Sequence, residues 1–199
     1  MNFLAHQYLS GNDDGLRVGN FIGDMVKGSK WKNFPAHIQK GILLHRSIDD
    51  YTDHHPLVKD SAKLLNPYLG RYSAIATDIF FDHFLAKHWE DFSPKTLISF
   101  AQETYLLVET HLPLLPDKTG YMLDFMKNQD WLYNYQFITG IERTMRGMSR
   151  RTQQPSLENS HEFLLKHYNE FEKNFFAFFP DLQMHVSNMI SENERIAHV

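Results

Sequence analysis

The sequence has 199 residues, a formal net charge of −4 at pH 7 and no cysteine. A chain of this length can bury the core of one domain, and we expect a single domain over residues 1–199. The lack of cysteine excludes disulfides, thiolate zinc sites, iron–sulfur clusters and a cysteine nucleophile. The charge gives no basic field, so neither nucleic acid nor an anionic membrane is expected as a partner.

The N-terminal segment, residues 1–11, is apolar but contains His6 and lacks the basic start of a signal peptide. It is also too short to span a membrane. We therefore expect a cytoplasmic protein. The chain contains twelve histidines, which raises the expectation of metal binding or acid–base chemistry.

Apolar residues recur with helical spacing along the chain, and no run alternates as a strand would. We expect an all-α fold, with a compact arrangement of many helices. Prolines disfavour helical conformation in the preceding residue, so we expect breaks at Asn66-Pro67 and a helix end at Pro180. The predicted helices, in chain order, span residues 3–9, 16–27, 36–52, 57–65, 71–90, 94–112, 121–150 and 157–179. The aromatic residues of the last helix are interpreted as core.

The helix predicted over 36–52 carries two polar groups on its apolar face. His45 and Asp49 lie one turn apart and share that face with Ile38 and Ile42. Together they can bind one cation. The alternative is a buried histidine that is oriented by a carboxylate, and the pair alone does not decide between the two.

The helix predicted over 71–90 is apolar nearly all round, so we expect it at the centre of the fold. Asp78 and Asp82 lie one turn apart on it. Removing two unpaired carboxylates from water costs on the order of several kcal/mol each, so we expect a cation beside them. A metal ion is the favoured cation, and the guanidinium group of Arg71 is the alternative.

Further donors occur in the first half of the chain. Asp24 lies among glycines in GNFIGDMVKG, although neither a P-loop nor a dinucleotide fingerprint is present. The candidate donors are His6, Asp24, His45, Asp49, Asp78, Asp82 and His83. Oxygen and imidazole donors without sulfur suit Mn²⁺ or Mg²⁺, with Fe²⁺ as a further option. Metal-assisted hydrolysis of a phosphoester is the reaction class that fits such a set.

Four segments resemble the acyl carrier protein phosphodiesterases, also called holo-acyl-carrier-protein hydrolases, of Gram-negative bacteria. They are MNFLAHQYLS (1–10), GNFIGDMVKG (19–28), GILLHRSIDDYTDHHP (41–56) and DIFFDHFLAKHW (78–89). The resemblance implies a helical fold related to the HD-domain metal-dependent phosphohydrolases. It also implies removal of 4′-phosphopantetheine from a serine of holo-acyl carrier protein, with Mn²⁺ as the ion. The chain has no His-Asp dipeptide, so a standard HD ligand pattern is not carried over.

On this basis we assign expected roles to individual residues. The expected metal ligands are Asp24, His45, Asp78, Asp82 and His6. Asp49 is expected to orient His45 or the attacking water, and His83 to act as general acid. Arg46 is expected to bind phosphate, although a surface arginine is the simpler interpretation.

An acyl carrier protein is small and acidic, so we expect a basic patch on this chain. Residues 141–151 contain four arginines, Arg143, Arg146, Arg150 and Arg151, of which the first three share a helical face. A second candidate patch, Lys27, Lys30 and Lys32, lies close to Asp24. A solvated face without a partner is the alternative for the arginines. The oligomeric state is not predicted.

Three other functions remain open. A hydrolase of this kind can act on a nucleotide or another small phosphodiester. A helical adaptor can bind a carrier protein without turnover, with its metal structural. A di-iron oxidase needs two Glu-x-x-His motifs, and the chain offers only Glu158 with His161.

Overall fold

The computed structural model describes the backbone of residues 1–197 and the side chains of residues 1–192. All regular structure in this part is helical, which confirms the all-α prediction. The α-helices are α1 (Phe3–Leu9), α2 (Asp14–Phe21), α3 (Ala36–His54), α4 (Pro56–Leu69), α5 (Ser73–Lys87), α6 (Trp89–Phe92), α7 (Leu97–His111), α8 (Lys118–Gln129), α9 (Trp131–Asn134), α10 (Ile138–Thr152), α11 (His161–Lys166) and α12 (Tyr168–Ala197). Short 3₁₀ helices span Gly23–Met25, Gly28–Asn33, Gly70–Tyr72, Leu112–Leu114 and Pro155–Leu157. A single domain over 1–199 and a relation to the HD-domain fold stay predictions.

α5 lies at the centre of the fold, as its sequence indicates. It packs against α1, α4, α10 and α12. Six of its apolar side chains are completely buried: Ala76, Ile79, Phe80, Phe81, Phe84 and Leu85. A helix that is apolar nearly all round gains most when neighbours cover every face, so its position follows from its composition.

α2 packs against α3 more extensively than any other two elements of the described chain pack together. The helices meet at Gly19 and Gly41, where a Cβ added to Gly19 would lie 2.8 Å from the Cα of Gly41. Only glycine at both positions permits this approach of two backbones. The crossing brings one face of α2 directly against the face of α3 that carries His45.

The helix expected over 157–179 differs in the structure, because α12 continues through Pro180 without a break. The prediction that Pro180 ends this helix was wrong. Buried side chains continue past the proline on one face of α12: Phe171, Phe175, Phe178, Leu182 and Val186, all at most 3% exposed. Burial of this stripe offsets the hydrogen bond that proline removes. α4 likewise contains Pro67, where a break was predicted.

The segment predicted as one helix over 121–150 contains three helices, α8, α9 and α10. α8 ends at Gln129, and the next residue, Asp130, has a φ of 47° in the left-handed region. This residue turns the chain, since a right-handed helix cannot pass through it. No helix among the described residues is long and apolar enough to cross a membrane.

Candidate metal centre

Three elements bring four of the sequence-predicted donors together. His6 comes from α1, Asp24 from the 3₁₀ helix Gly23–Met25, and His45 and Asp49 from α3. His6, His45 and Asp49 each offer a ligand atom, and these atoms lie within 4.8 Å of one another. The two imidazole rings stack with their centroids 4.2 Å apart.

The Nε2 atoms of both rings point towards carboxylates. His6 Nε2 lies 3.2 Å from Asp49 Oδ1, and His45 Nε2 lies 3.1 Å from Asp49 Oδ2. Asp24 Oδ1 lies 3.6 Å from the Nε2 atom of His45. Two nitrogen and two carboxylate donors therefore converge on one small volume, which we call the His/Asp cluster.

The opposite ring nitrogens are held by one buried side chain, Asn20. Its Oδ1 lies 2.7 Å from Nδ1 of His6 and 3.0 Å from Nδ1 of His45. Its Nδ2 donates to the carbonyl oxygen of His6 and to Oγ of Ser10, both at 2.9 Å. These donor bonds fix the orientation of the amide, so Oδ1 must accept a hydrogen from both rings. The Nε2 atoms of both rings consequently face the carboxylates, and Nε2 is the position at which each ring gains or loses a proton.

The donor set fits a divalent cation. His45 Nε2 is buried, and its 3.1 Å contact with Asp49 Oδ2 does not have the geometry of a hydrogen bond. An imidazole lone pair that faces carboxylate oxygens is unfavourable unless a proton or a metal ion lies between them. Histidine that donates its second N–H to a fixed acceptor is the usual arrangement at metal sites. The same two carboxylates that attract a proton also attract a metal ion.

The pKa values of the two histidines are shifted in opposite directions. Burial, together with the neighbouring His45, lowers the pKa of His6 to about 4. Against the effect of burial, Asp24 and Asp49 raise the pKa of His45 to about 9. His6 is therefore neutral at pH 7, and His45 is protonated.

The cluster is closed on the histidine side and open on the carboxylate side. The side chains of His6 and His45 are 4% and 7% exposed, whereas those of Asp49 and Asp24 are 41% and 71% exposed. Gly23 permits this layout, since a Cβ there would lie 2.6 Å from the Cβ of His45. Asp24 and Asp49 therefore form the solvent-exposed edge of the cluster.

Asp78 and Asp82 lie beside the start of α1 and outside the His/Asp cluster. Asp82 is completely buried and accepts hydrogen bonds from the backbone N–H groups of Asn2 (3.0 Å), Leu4 (2.8 Å) and Ala5 (3.4 Å). The ammonium group of Met1 donates to Asp78 at 2.8 Å. Unpaired amides at a helix start favour an anion, so Asp82 fixes the helix that carries His6. Burial raises the pKa of Asp78 to about 6 and of Asp82 to about 7.

His83 also lies outside the cluster, and both of its ring nitrogens have partners. Nδ1 donates to the carbonyl oxygen of Tyr135 at 2.7 Å, and Nε2 accepts from the hydroxyl of Tyr168 at 2.8 Å. Lys87 in turn donates to that hydroxyl at 2.8 Å. Burial lowers the pKa of His83 to about 4. The ring is neutral at pH 7 and joins α5 to α12.

Arg46 contacts backbone rather than any acidic group of the cluster. Its Nη2 donates to the carbonyl oxygens of Val26 (3.0 Å) and Gly28 (2.8 Å). The four arginines of residues 141–151 lie on α10. One of them, Arg146, pairs with Glu142 and Glu158. Glu158 is thus engaged away from the cluster.

Sequence reasoning missed Asn20. It lies inside the segment GNFIGDMVKG, where attention went to Asp24 and the glycines. The sequence signal is weak: Asn20 is a polar residue directly before Phe21 and Ile22, and a polar side chain that is buried with them needs hydrogen-bond partners.

The chain is similar to known proteins over most of its length. The family model described as acyl carrier protein phosphodiesterase matches residues 1–182. A protein of that name from Enterobacter sp. (strain 638) is 33% identical over 190 residues, covering 94% of this chain and 98% of the relative. Relatives of the same name from Yersinia pestis and Klebsiella pneumoniae (strain 342) are both 34% identical and cover 92% and 94% of this chain, and 95% and 98% of their own lengths. No solved structure matches the chain. This chain belongs to the acyl carrier protein phosphodiesterase family.

Proposed function

We propose that this chain is a metal-dependent phosphodiesterase that hydrolyses holo-acyl carrier protein to apo-acyl carrier protein and 4′-phosphopantetheine. Family membership supports the substrate, since the relatives are named for it. The single observation that supports metal dependence is the convergence of two imidazole Nε2 atoms on Asp49, with Asp24 beside them. A cytoplasmic location is part of the proposal and agrees with the absence of cysteine.

The ligand set that we propose is His6, His45, Asp49 and Asp24. Nitrogen and carboxylate donors without sulfur make Mn²⁺ the preferred ion, with Mg²⁺ and Fe²⁺ as alternatives. A divalent ion bound there lowers the pKa of water and stabilises negative charge on the phosphoryl oxygens. In this proposal Asp49 is a metal ligand, whereas the sequence led us to expect that it only orients His45 or the attacking water.

In this proposal four further residues hold other groups in place and do not bind the metal ion. Asn20 fixes both rings, and Asp82 holds α1 so that His6 reaches the cluster. Arg46 holds the backbone that follows Asp24. His83 supports the packing of α5 against α12 instead of donating a proton to the leaving group, because both of its nitrogens are occupied.

The open side of the cluster is where the chain's own residues meet the substrate. Asp24 and Asp49 lie at the opening, and the buried histidines close the floor. The buried histidine side chains exclude water from the floor, so the phosphodiester and the attacking water would both approach from the exposed side of Asp24 and Asp49.

Intact-protein mass spectrometry of holo-acyl carrier protein tests the proposal. The carrier is incubated with this protein and Mn²⁺, and parallel samples contain EDTA, a His45→Ala variant or a His54→Ala variant. His54 lies on the same helix but is exposed, so it is the matched control. We expect loss of the phosphopantetheine mass with the wild-type protein and His54→Ala only.

Other results assign a different function. Hydrolysis of bis(p-nitrophenyl) phosphate without any change in the carrier would favour a hydrolase of small phosphodiesters. Binding of the carrier without turnover across Mn²⁺, Mg²⁺ and Fe²⁺ would favour an adaptor. Full turnover in EDTA, or by His45→Ala, would contradict the metal centre.

A further inference from the structure

A short basic segment directly follows the 3₁₀ helix Gly23–Met25, which carries Asp24, the most exposed donor of the His/Asp cluster. We call residues 26–34 the lysine segment, because Lys27, Lys30 and Lys32 are all exposed on it. The segment begins two residues after Asp24. None of the three lysines has a carboxylate within 4.0 Å among the described side chains, so their charges are not neutralised within this part of the chain.

Two side chains of α3 hold the lysine segment in place at its two ends. Arg46 donates to the carbonyl oxygens of Val26 and Gly28 at the beginning. Gln39 donates to the carbonyl oxygens of Lys32 (3.2 Å) and Phe34 (2.7 Å) at the end. α3 is also the helix of His45 and Asp49, so the backbone that carries the exposed lysines has a fixed position relative to the cluster.

The proposed reaction limits where the carrier protein can dock. The bond to be cleaved joins phosphorus to the serine oxygen of the carrier, so the long pantetheine arm lies on the other side of the phosphate. The serine itself must therefore reach the cluster, and the carrier surface around it must touch the rim beside Asp24 and Asp49. A basic patch distant from that rim cannot contact the residues that flank the serine.

The arginines of α10 meet this requirement less well. α10 packs against α5, α9, α11 and the 3₁₀ helix Pro155–Leu157, none of which contributes a donor to the cluster. Arg146 is already paired with Glu142 and Glu158. The lysine segment, in contrast, follows the donor-bearing 3₁₀ helix Gly23–Met25 directly.

We infer that the lysine segment is the docking surface for the acidic face of the carrier protein next to its modified serine. This inference rests on the proposed function. Opposite charges at the rim of an interface speed association and fix the orientation of the partners. Lysines on a backbone held beside the cluster would therefore favour one orientation of the carrier, with its phosphodiester at the open side.

Charge reversal tests the inference. We compare Lys27→Glu/Lys30→Glu/Lys32→Glu with the matched triple variant Arg143→Glu/Arg150→Glu/Arg151→Glu on α10. For the lysine variant we expect a rise in KM for holo-carrier of about tenfold or more at low salt, with a small change in kcat. Hydrolysis of bis(p-nitrophenyl) phosphate should be unchanged in both variants, because this substrate needs no docking.

A binding measurement separates docking from turnover. Kd for apo-carrier, measured by fluorescence anisotropy, should rise about tenfold in the lysine variant and much less in the arginine variant. The triple Lys→Gln variant should give a smaller rise, and circular dichroism reports whether each variant is folded. Lysine-dependent binding by a wild-type protein that never cleaves the carrier would support docking and contradict the proposed function. An unchanged Kd in the lysine variants, or a larger rise in the arginine variant, would overturn the inference.

Discussion

Asn20 and His45 are joined by a hydrogen bond of 3.0 Å, in which the ring donates from Nδ1 to the amide oxygen. The bond leaves Nε2 as the free nitrogen of His45 and aims it at the carboxylates. Since Asn20 makes the same bond to His6, one amide sets the tautomer of both rings.

Asn20→Leu removes both of these bonds and leaves the rings free to rotate. We expect Mn²⁺ affinity to fall by about 10- to 100-fold, the usual cost of losing a partner that orients a ligand. Isothermal titration of Mn²⁺ into the metal-free protein measures the change. Ser10→Ala is the control, because Ser10 contacts the amide nitrogen of Asn20 but neither ring, and its effect on affinity should be smaller. Equal affinities in wild type and Asn20→Leu would show that the rings are oriented by packing alone.

Mn²⁺ should stabilise the folded protein if the cluster binds it. A ligand at about 100 times its Kd adds about 2.7 kcal/mol to the free energy of unfolding, which is readily seen as a rise in Tm. His45→Ala should lose this rise in Tm, and His54→Ala should retain it. Differential scanning fluorimetry with and without Mn²⁺ gives the comparison. A rise of equal size in His45→Ala would place the ion elsewhere.

Some of the site could be predicted from the sequence because the signal is local. His45 and Asp49 are one turn apart on an apolar helix face, and this spacing fixes their proximity whatever the rest of the chain does. His6 and Asp24 joined the set through residue type and through the family resemblance. Their contact with His45 depends on the α2–α3 crossing at Gly19 and Gly41, which no local pattern specifies.

The positions of Asp78 and Asp82 depend on tertiary contacts in the same way. Their spacing predicts a buried acidic pair that requires compensation. In the structure Asp82 is completely buried and the side chain of Asp78 is 23% exposed, and both carboxylates have compensating partners. The compensating groups are the ammonium of Met1 and the amides that start α1, about 80 residues away in the chain. The helix ends at Pro67 and Pro180 were mispredicted for a related reason, since burial along a whole helix face outweighed a local proline signal.

Asp82→Ala distinguishes a helix anchor from a metal ligand. The change removes the acceptor of three backbone N–H groups at the start of α1, those of Asn2, Leu4 and Ala5. We therefore expect a loss of about 3 kcal/mol in the free energy of unfolding. Chemical denaturation measures this loss. Mn²⁺ should still bind in one equivalent at saturation, with lower affinity because His6 is held less firmly. A stable Asp82→Ala protein that binds no Mn²⁺ would return Asp82 to the ligand set.

His83 makes the stability of the fold depend on pH in a defined direction. Burial lowers its pKa in the folded protein to about 4 from an ordinary value of 6.5. Between pH 4 and 6.5 the unfolded chain binds a proton at His83 that the folded protein does not bind. The contribution of His83 to the free energy of unfolding is therefore full above pH 6.5 and falls as the pH decreases towards 4. Two and a half pKa units correspond to a loss of about 3 kcal/mol over this window.

His83→Asn removes the titrating ring but keeps a donor for the carbonyl oxygen of Tyr135. We expect the free energy of unfolding of this variant to fall less steeply than that of the wild-type protein between pH 6.5 and 4. Urea denaturation at several pH values, with both proteins in EDTA, measures the difference between the two slopes and cancels the contribution of His6, which is common to both. Parallel slopes would mean that His83 is protonated in the folded protein, with Tyr168 then accepting a hydrogen from it.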